Sequence, residues 1–369
     1  MVHINGKIGN NGVIKDITKR PEAVLDLYNL IYAQPEMLNI SRSSKTESTY
    51  IYKMNGKEII NPTEIERINN LVIPPAWKKV KIANQDNAHL QAVGRDDKNR
   101  KQYIYHPKWN VIRNQTKFTK LNDFASALPK MREQIALDIE QKAWNKTKVL
   151  AIVIRLLEES HIRVGNSYYT RKNKTYGLST LRSRHLNISK NKLNIEFIGK
   201  KGKKNKVTIE NKKLVKLVNR CEEIPGWRLF QYYDENGDEH AVESQMINEY
   251  IQEISGENFS AKDFRTWSAS LICFDALKQF KYSKKESTRE KHVIQAIDQA
   301  AESLNNTRAV CKKYYVHPVI INSYIDGSID PFFKQISKTK SKSEYELQPN
   351  ERALKALLKT YKPEALILE

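Results

Sequence analysis

Cysteine is scarce: the 369 residues hold three, Cys221, Cys273 and Cys311, widely spaced and without a Cys-x-x-Cys pair. That spacing offers neither a zinc site nor a disulfide framework, and it suits a reducing compartment. Long apolar runs are missing too, so no segment reads as a membrane span. The polar start MVHINGKIGNNG lacks the apolar stretch of a signal peptide. Acidic clusters are absent. Glu158 and Glu159 are adjacent, and adjacent residues on a helix do not share a face. There is no His-Glu-x-x-His and no paired histidine at metal spacing, so two-metal phosphoryl chemistry has no ligands. GKKGKK at 199–204 has glycines three apart and no following Gly-Lys-Ser/Thr, which excludes a phosphate loop. No metal and no cofactor is expected. Any phosphodiester chemistry must then use cationic side chains.

Cations are abundant. Lys and Arg number 63 against 42 Asp and Glu, a formal charge of +21. A charge of that size calls for a polyanionic partner, and nucleic acid is the first expectation because phosphate contacts drive such binding. A merely solubilising surface is the bland alternative. An anionic membrane is disfavoured, since no amphipathic basic segment stands out. Hydrophobic residues make up 40%, enough for a packed core, and the length suits two domains.

Along the chain, residues 1–34 read as a loosely held start with one helix in PEAVLDLYNLIYAQ. From 45 to about 112 the texture is β-like. STYIYKMNGKEII reads as a hairpin around Asn55-Gly56, and HLQAVGRDDKNRKQYIYHP as a second hairpin. INNLVIPPAWKKVKIA is a helix end, a Pro-Pro break and a strand. Around 113–120 the pattern turns helical. NKTKVLAIVIRLLEESHI is apolar nearly all round and predicts a buried helix. LNISKNKLNIEFIGKKGKKNKVTIE returns to short strands, after which helices resume to about 325. KTKSKSEYE is a polar linker, and PNERALKALLKTY a closing amphipathic helix with Asn350 as its N-cap. The expected fold class is α+β. A β-rich N-terminal domain (1–113) precedes a mostly helical domain (114–335) with a small β insertion, and 336–369 is linker plus C-terminal helix.

Certain cations sit in specific settings. Arg163, in SHIRVGN, follows the buried helix directly; the plain alternative is a charge meeting the helix dipole. Lys200 lies at the tip of a predicted hairpin, where a solvated turn lysine is the ordinary reading. Arg265, in AKDFRTWSAS, stands among aromatics, where a guanidinium is usually partly buried and oriented. Tyr315, in AVCKKYYVHPVII, follows Tyr314; a lone tyrosine is more often core than nucleophile. Together these residues compose a phosphoryl-transfer site. A phenol has a pKa of about 10, so roughly one in a thousand is ionised at neutral pH. Nearby guanidinium groups favour the phenolate and neutralise charge on a pentacoordinate phosphate. A lysine can protonate the leaving oxygen. Attack by tyrosine on a phosphodiester stores the bond energy, so a nick can be resealed without ATP.

The strings IPPAWKKVKI, LQAVGRDDKNRKQYIYHPKW, VIRLLEESHIRVGNSYY, TYGLSTLRSRHL, FIGKKGKK, AKDFRTW and NNTRAVCKKYYVHP, in this order from about 40 to 325, resemble the type IB DNA topoisomerases, in the small branch shared by bacteria and poxviruses. The resemblance implies Tyr315 as nucleophile, an Arg163–Lys200–Arg265 set, and Lys262 assisting the proton transfers. It places the fifth catalytic position on Asn306, which donates a hydrogen bond but cannot titrate. Arg308 stands where the family usually has proline, and Tyr168-Tyr169 where it often has acidic residues; a DNA contact is expected at Tyr169.

The resemblance also puts Gln102, Tyr103 and Tyr105 near DNA. Residues 103 and 105 of a strand share one face, phenols reach phosphates, and Gln can read an adenine edge; a half-buried aromatic strand is the alternative. Arg113 is expected in a groove or on a phosphate. The implied protein is a monomer clamping double-stranded DNA, working in the cytoplasm of a bacterium or, if viral, in host cytoplasm or virion. Two rivals stay open. A tyrosine recombinase usually carries His-x-x-Arg, where this chain has Lys262-Asp263-Phe264-Arg265. The other is a basic DNA-binding scaffold without catalysis.

Overall fold

The computed structural model describes residues 25, 28–44, 49–189, 192–336 and 340–362, without the side chain at 115. Of the helix expected in 21–34, residues 21–24, 26 and 27 lie outside the described residues, as does the start of the 338–346 linker; the described residues 30–34 correct that expectation, being non-helical, with Ile31 bridging Ala88 in parallel. The chain divides into two units, one of residues 1–120 with 362–369, the other Leu121–Tyr361.

The first unit carries a six-stranded sheet in the order β3-β2-β1-β4-β5-β6. The strands are β1 (Ile40–Ser44), β2 (Tyr50–Met54), β3 (Lys57–Glu58), β4 (Lys78–Ile82), β5 (Leu90–Arg95) and β6 (Lys101–Tyr105), and every pairing is antiparallel. The two-residue loop between β2 and β3 is Asn55-Gly56, both at positive φ (51° and 82°), the backbone a tight hairpin of this hand requires. Helix α1 (Pro62–Asn70) is N-capped by Asn61, whose side chain accepts from Thr63 and Glu64 N–H. Its buried Ile68 joins Ile40, Tyr52, Val80, Ile82 and Ala92 in one apolar cluster.

Helix α2 (Pro107–Ile139) begins six residues before the change of texture read at 113, and the division between units falls inside it. Leu121, Phe124, Ala125, Leu128, Met131 and Ile135 recur at helical spacing and are all buried. Helix α3 (Lys146–Ser160), capped by Asn145, is buried on nearly every side, as its composition predicted. Beyond the short α4 (Ser167–Asn173), strands β7 (Leu186–Ser189), β8 (Lys192–Ile198) and β9 (Lys204–Ile209) form the small β insertion. Helix α5 (Lys212–Cys221) follows.

The expectation of helix alone from here to 325 needs one correction. Gln231–Tyr233 (β10) and Glu239–Ala241 (β11) form a hairpin. Its turn is built by Asp234, whose carboxylate accepts from Asn236 and Asp238 N–H, with Gly237 at φ +83°. Helices α6 (Ser244–Ser255), α7 (Ala261–Gln279), α8 (Glu286–Ser303), α9 (Arg308–Tyr314), α10 (Pro318–Asp326), α11 (Asp330–Ile336) and α12 (Pro349–Leu358) complete the unit. Asn350 is not the cap of α12. Gln348 holds that position, Pro349 takes the first turn, and the Asn350 amide donates to Asp275 at 2.7 Å. The helix is tied down by a buried ion network: Arg132 contacts both Glu158 and Glu351 at 2.7 Å, and Trp267 Nε1 donates to Glu351 at 3.2 Å. Burial pulls the Glu351 carboxyl up, but its hydrogen bond and ion pair with Arg132 outweigh that and hold it below its ordinary range.

Candidate active site

Helix α3 ends at His161, which sits at φ 55° and turns the chain into the loop carrying Arg163. That loop is held by backbone. Leu178 N–H donates to the Arg163 carbonyl at 2.9 Å, and Ser179 N–H to the Val164 carbonyl at 2.7 Å. The two segments cross at Gly165 and Gly177, and a Cβ on Gly177 would stand 2.5 Å from the Arg163 oxygen and 2.6 Å from the Gly165 nitrogen. Only glycine permits this approach. The guanidinium of Arg163 donates from Nη2 to Asn306 Oδ1.

Arg265 lies in α7 and is 4% exposed. Its Nη1 donates to the His161 carbonyl and its Nη2 to the Leu304 carbonyl at 3.0 Å. Its Cζ lies 5.4 Å from the centre of the Tyr315 ring, and it hydrogen-bonds the Tyr315 side chain. Burial, then the charge of Arg163, hold the Arg265 guanidinium below its usual range, at about 10, while Tyr315 pulls the other way. A cation so placed stabilises negative charge as it develops beside it.

Tyr315 terminates α9, with its N–H on the Cys311 carbonyl at 2.9 Å. Ser270, fully buried in α7, donates its hydroxyl to the Tyr315 carbonyl at 3.1 Å and accepts from His317 N–H at 3.1 Å. One helix therefore carries both the guanidinium beside the phenol and the anchor for its backbone. Ser270 was not among the residues expected, and neither was His161. Burial first, then the charge of Arg265, push the His161 imidazole down to about 4. Among the described residues His161 Nδ1 is buried without a hydrogen-bond partner, and so are Arg265 Nε and Asn306 Nδ2. The last two are donors, one on the guanidinium beside Tyr315 and the other on the amide hydrogen-bonded to Arg163, and unpaired buried donors suit an anionic oxygen.

Asn306 keeps its contact with Arg163 despite Arg308 at the position where the family usually has proline. Arg308 points instead to Asp298 at 2.6 Å, and Thr307 caps α9. The remaining two cations are not drawn in. Lys200 and Lys262 are exposed, and their ammonium groups make no hydrogen bond among the described residues. The turn holding Lys200 is nevertheless fastened to the Asn306 loop. Asn305 Nδ2 donates to the Lys204 carbonyl at 3.1 Å, and Lys203 Nζ to the Asn306 carbonyl at 3.5 Å. Among the described residues no three His, Cys, Asp or Glu side chains gather as a metal site.

In the first unit, the rings of Tyr103 and Tyr105 stack at 5.9 Å on one face of β6. Lys101 Nζ lies 5.3 Å from the centre of the Tyr103 ring, and Arg113 Cζ 5.1 Å from that of Tyr105. Tyr103 is 44% exposed. Gln102 does not join them: strand alternation turns it to the other face, where its amide donates to Asp96 at 3.0 Å. Arg113 belongs to α2. Tyr169 is exposed and packs edge-on against Tyr168 at 5.4 Å.

Known proteins are similar to this chain over most of its length. Residues 97–343 match the model of the eukaryotic DNA topoisomerase I catalytic core, and residues 49–96 the N-terminal domain of bacterial DNA topoisomerase IB. DNA topoisomerase 1B of Acanthamoeba polyphaga mimivirus is 35% identical over 295 residues, covering 78% of this chain and 88% of that protein. DNA topoisomerase 1B of vaccinia virus (strain Copenhagen) is 24% identical, covering 67% of this chain and 75% of its own. DNA topoisomerase 1 of rabbit fibroma virus (strain Kasza) is 25% identical, covering 75% and 90%. The single family match spanning the site from Arg163 to Tyr315, with the mimivirus relative covering most of both chains, makes this protein a member of the type IB DNA topoisomerase family.

Proposed function

We propose that the protein relaxes supercoiled duplex DNA by transesterification, as a monomer, with Tyr315 as nucleophile. The Tyr315 oxygen attacks a backbone phosphorus, and the bond from phosphorus to the 5′ oxygen of the neighbouring nucleotide breaks. The tyrosine proton leaves to solvent or a neighbouring base, and Lys200 supplies a proton to the departing 5′ oxygen, with Lys262 or Arg163 assisting. Arg163, Arg265 and Asn306 donate to the non-bridging oxygens, where each such donor is worth about 10²–10³ in rate. The cut strand swivels, and its 5′-hydroxyl attacks the 3′-phosphotyrosyl bond, restoring both strand and enzyme. One ester replaces another at each step, so no ATP is consumed. Tyr103, Tyr105, Arg113 and Tyr169 bind the duplex backbone, while Gln102 contributes only if it exchanges Asp96 for a base.

The observation that carries this reading is Arg265, buried, against the ring of Tyr315, with a donor nitrogen lacking a partner among the described residues. The test is relaxation of negatively supercoiled plasmid in EDTA without ATP. Wild type is expected to relax it and Tyr315→Phe to bind without relaxing it; relaxation by the variant would remove Tyr315 from the mechanism.

A further inference from the structure

Beyond the residues assigned to the mechanism, the second unit displays a cluster of arginines and aromatic rings. Its most exposed member is Trp227, 82% accessible. The turn that presents it is held on both sides of Trp227. Gly226 stands at φ +124°, and the Gln231 side chain lies where a Cβ would project and donates to the Pro225 carbonyl. Two residues on, Leu229 N–H donates to the Leu181 carbonyl at 2.9 Å, which fixes the turn beside Arg182.

Arg182 lies between two rings, its Cζ 5.8 Å from the centre of Trp227 and 5.9 Å from that of Tyr176. Arg184 covers Tyr176 from 5.7 Å and donates to its hydroxyl at 2.8 Å. Tyr176 itself is pinned to the catalytic loops: its N–H donates to the Ile198 carbonyl at 2.8 Å, and the next residue is Gly177 at the crossing with Gly165. The cluster is therefore continuous with the segments carrying Arg163 and Lys200.

We propose that Trp227, with Arg182 and Tyr176, is a stacking platform for an unpaired base of single-stranded DNA. Exposing most of an indole to water is unfavourable unless something covers it. Arginines beside it select an anionic partner, on a chain of net charge +21. A base inside a duplex is covered on both faces by its neighbours and cannot stack on a side chain. Only an unpaired base, with phosphates flanking it, offers this site both a π-face and negative charge. The platform would bias the enzyme toward DNA with locally separated strands. It rests on the reading above only for DNA as the partner.

The test compares affinities for a short oligothymidylate and for covalently closed, relaxed plasmid at one salt concentration. Trp227→Ala is expected to lose about tenfold on the oligothymidylate, in line with one stacked base, and less than twofold on the plasmid. Trp227→Phe restores most of the loss, and Arg182→Gln weakens oligothymidylate binding in the same direction. Unchanged binding by Trp227→Ala, or an equal loss on both DNAs, overturns the platform. Plasmid relaxation by wild type is scored separately. If it occurs while the affinity ratio stays put, only the platform falls; if it fails while the ratio moves, the platform stands and the relaxation mechanism falls.

Discussion

Replacing Arg265 by lysine keeps the charge and removes the fork. A guanidinium reaches the His161 carbonyl, the Leu304 carbonyl and Tyr315 together, and an ammonium cannot span that geometry. Covalent adduct formation by Arg265→Lys on a duplex oligonucleotide, followed in a single turnover, is expected to slow about 10²–10³-fold; a wild-type rate would show that charge alone suffices. His161 makes a second prediction. Its folded pKa is lowered from 6.5 to about 4, so between those values the unfolded chain binds more protons than the folded one. The stability His161 confers while neutral is complete above about 6.5 and is lost as the pH falls toward 4, up to about 3 kcal/mol. The melting temperature should drop over that window, and His161→Gln should flatten the decline; parallel curves for both proteins would assign it to other groups. Arg163, Arg265 and Tyr315 were legible at this scale because their neighbours form a recognisable string. Ser270 was not. A serine in a helix has no mark of its own, and its partner carbonyl stands 45 residues further on.

Helices and strands were more legible than the contacts between them. Helix α3 was readable from an apolar surface on all sides, and the β2–β3 loop from Asn-Gly alone. The β10–β11 hairpin was missed although Asn236-Gly237 carries the same signal, because its strands are three residues long and too short for alternation to show. The cap of α12 was misplaced by two positions, since Pro349 fits the first turn and leaves Asn350 free for Asp275. That helix contributes more than its length implies. Glu351 is shared by Arg132 and Trp267, and its side chain is 4% exposed. Glu351→Gln leaves Arg132 with half its compensation. Breaking a buried pair this way costs about 3–5 kcal/mol, read as a lowered denaturation midpoint; a midpoint within error of wild type would mean Glu158 carries the pair alone.

For the whole molecule, charge is the controlling quantity. With 63 basic residues against 42 acidic ones, affinity for DNA should fall steeply with salt. A protein neutralising 6–10 phosphates loses about 10³–10⁵ in affinity between 50 and 200 mM salt, and a filter-binding titration reads that slope directly. A flat response would mean the basic residues are spread for solubility rather than gathered for phosphate. The catalytic unit has one further property, which concerns the order of synthesis. Glu351 is made 219 residues after Arg132 and 84 after Trp267, yet all three close one buried network. While the chain is still being translated, the helix bearing Arg265 and Ser270 exists without its last brace. The buried network therefore closes only after residue 351 has been made, and a chain terminated before α12 carries the helix bearing Arg265 and Ser270 without that brace.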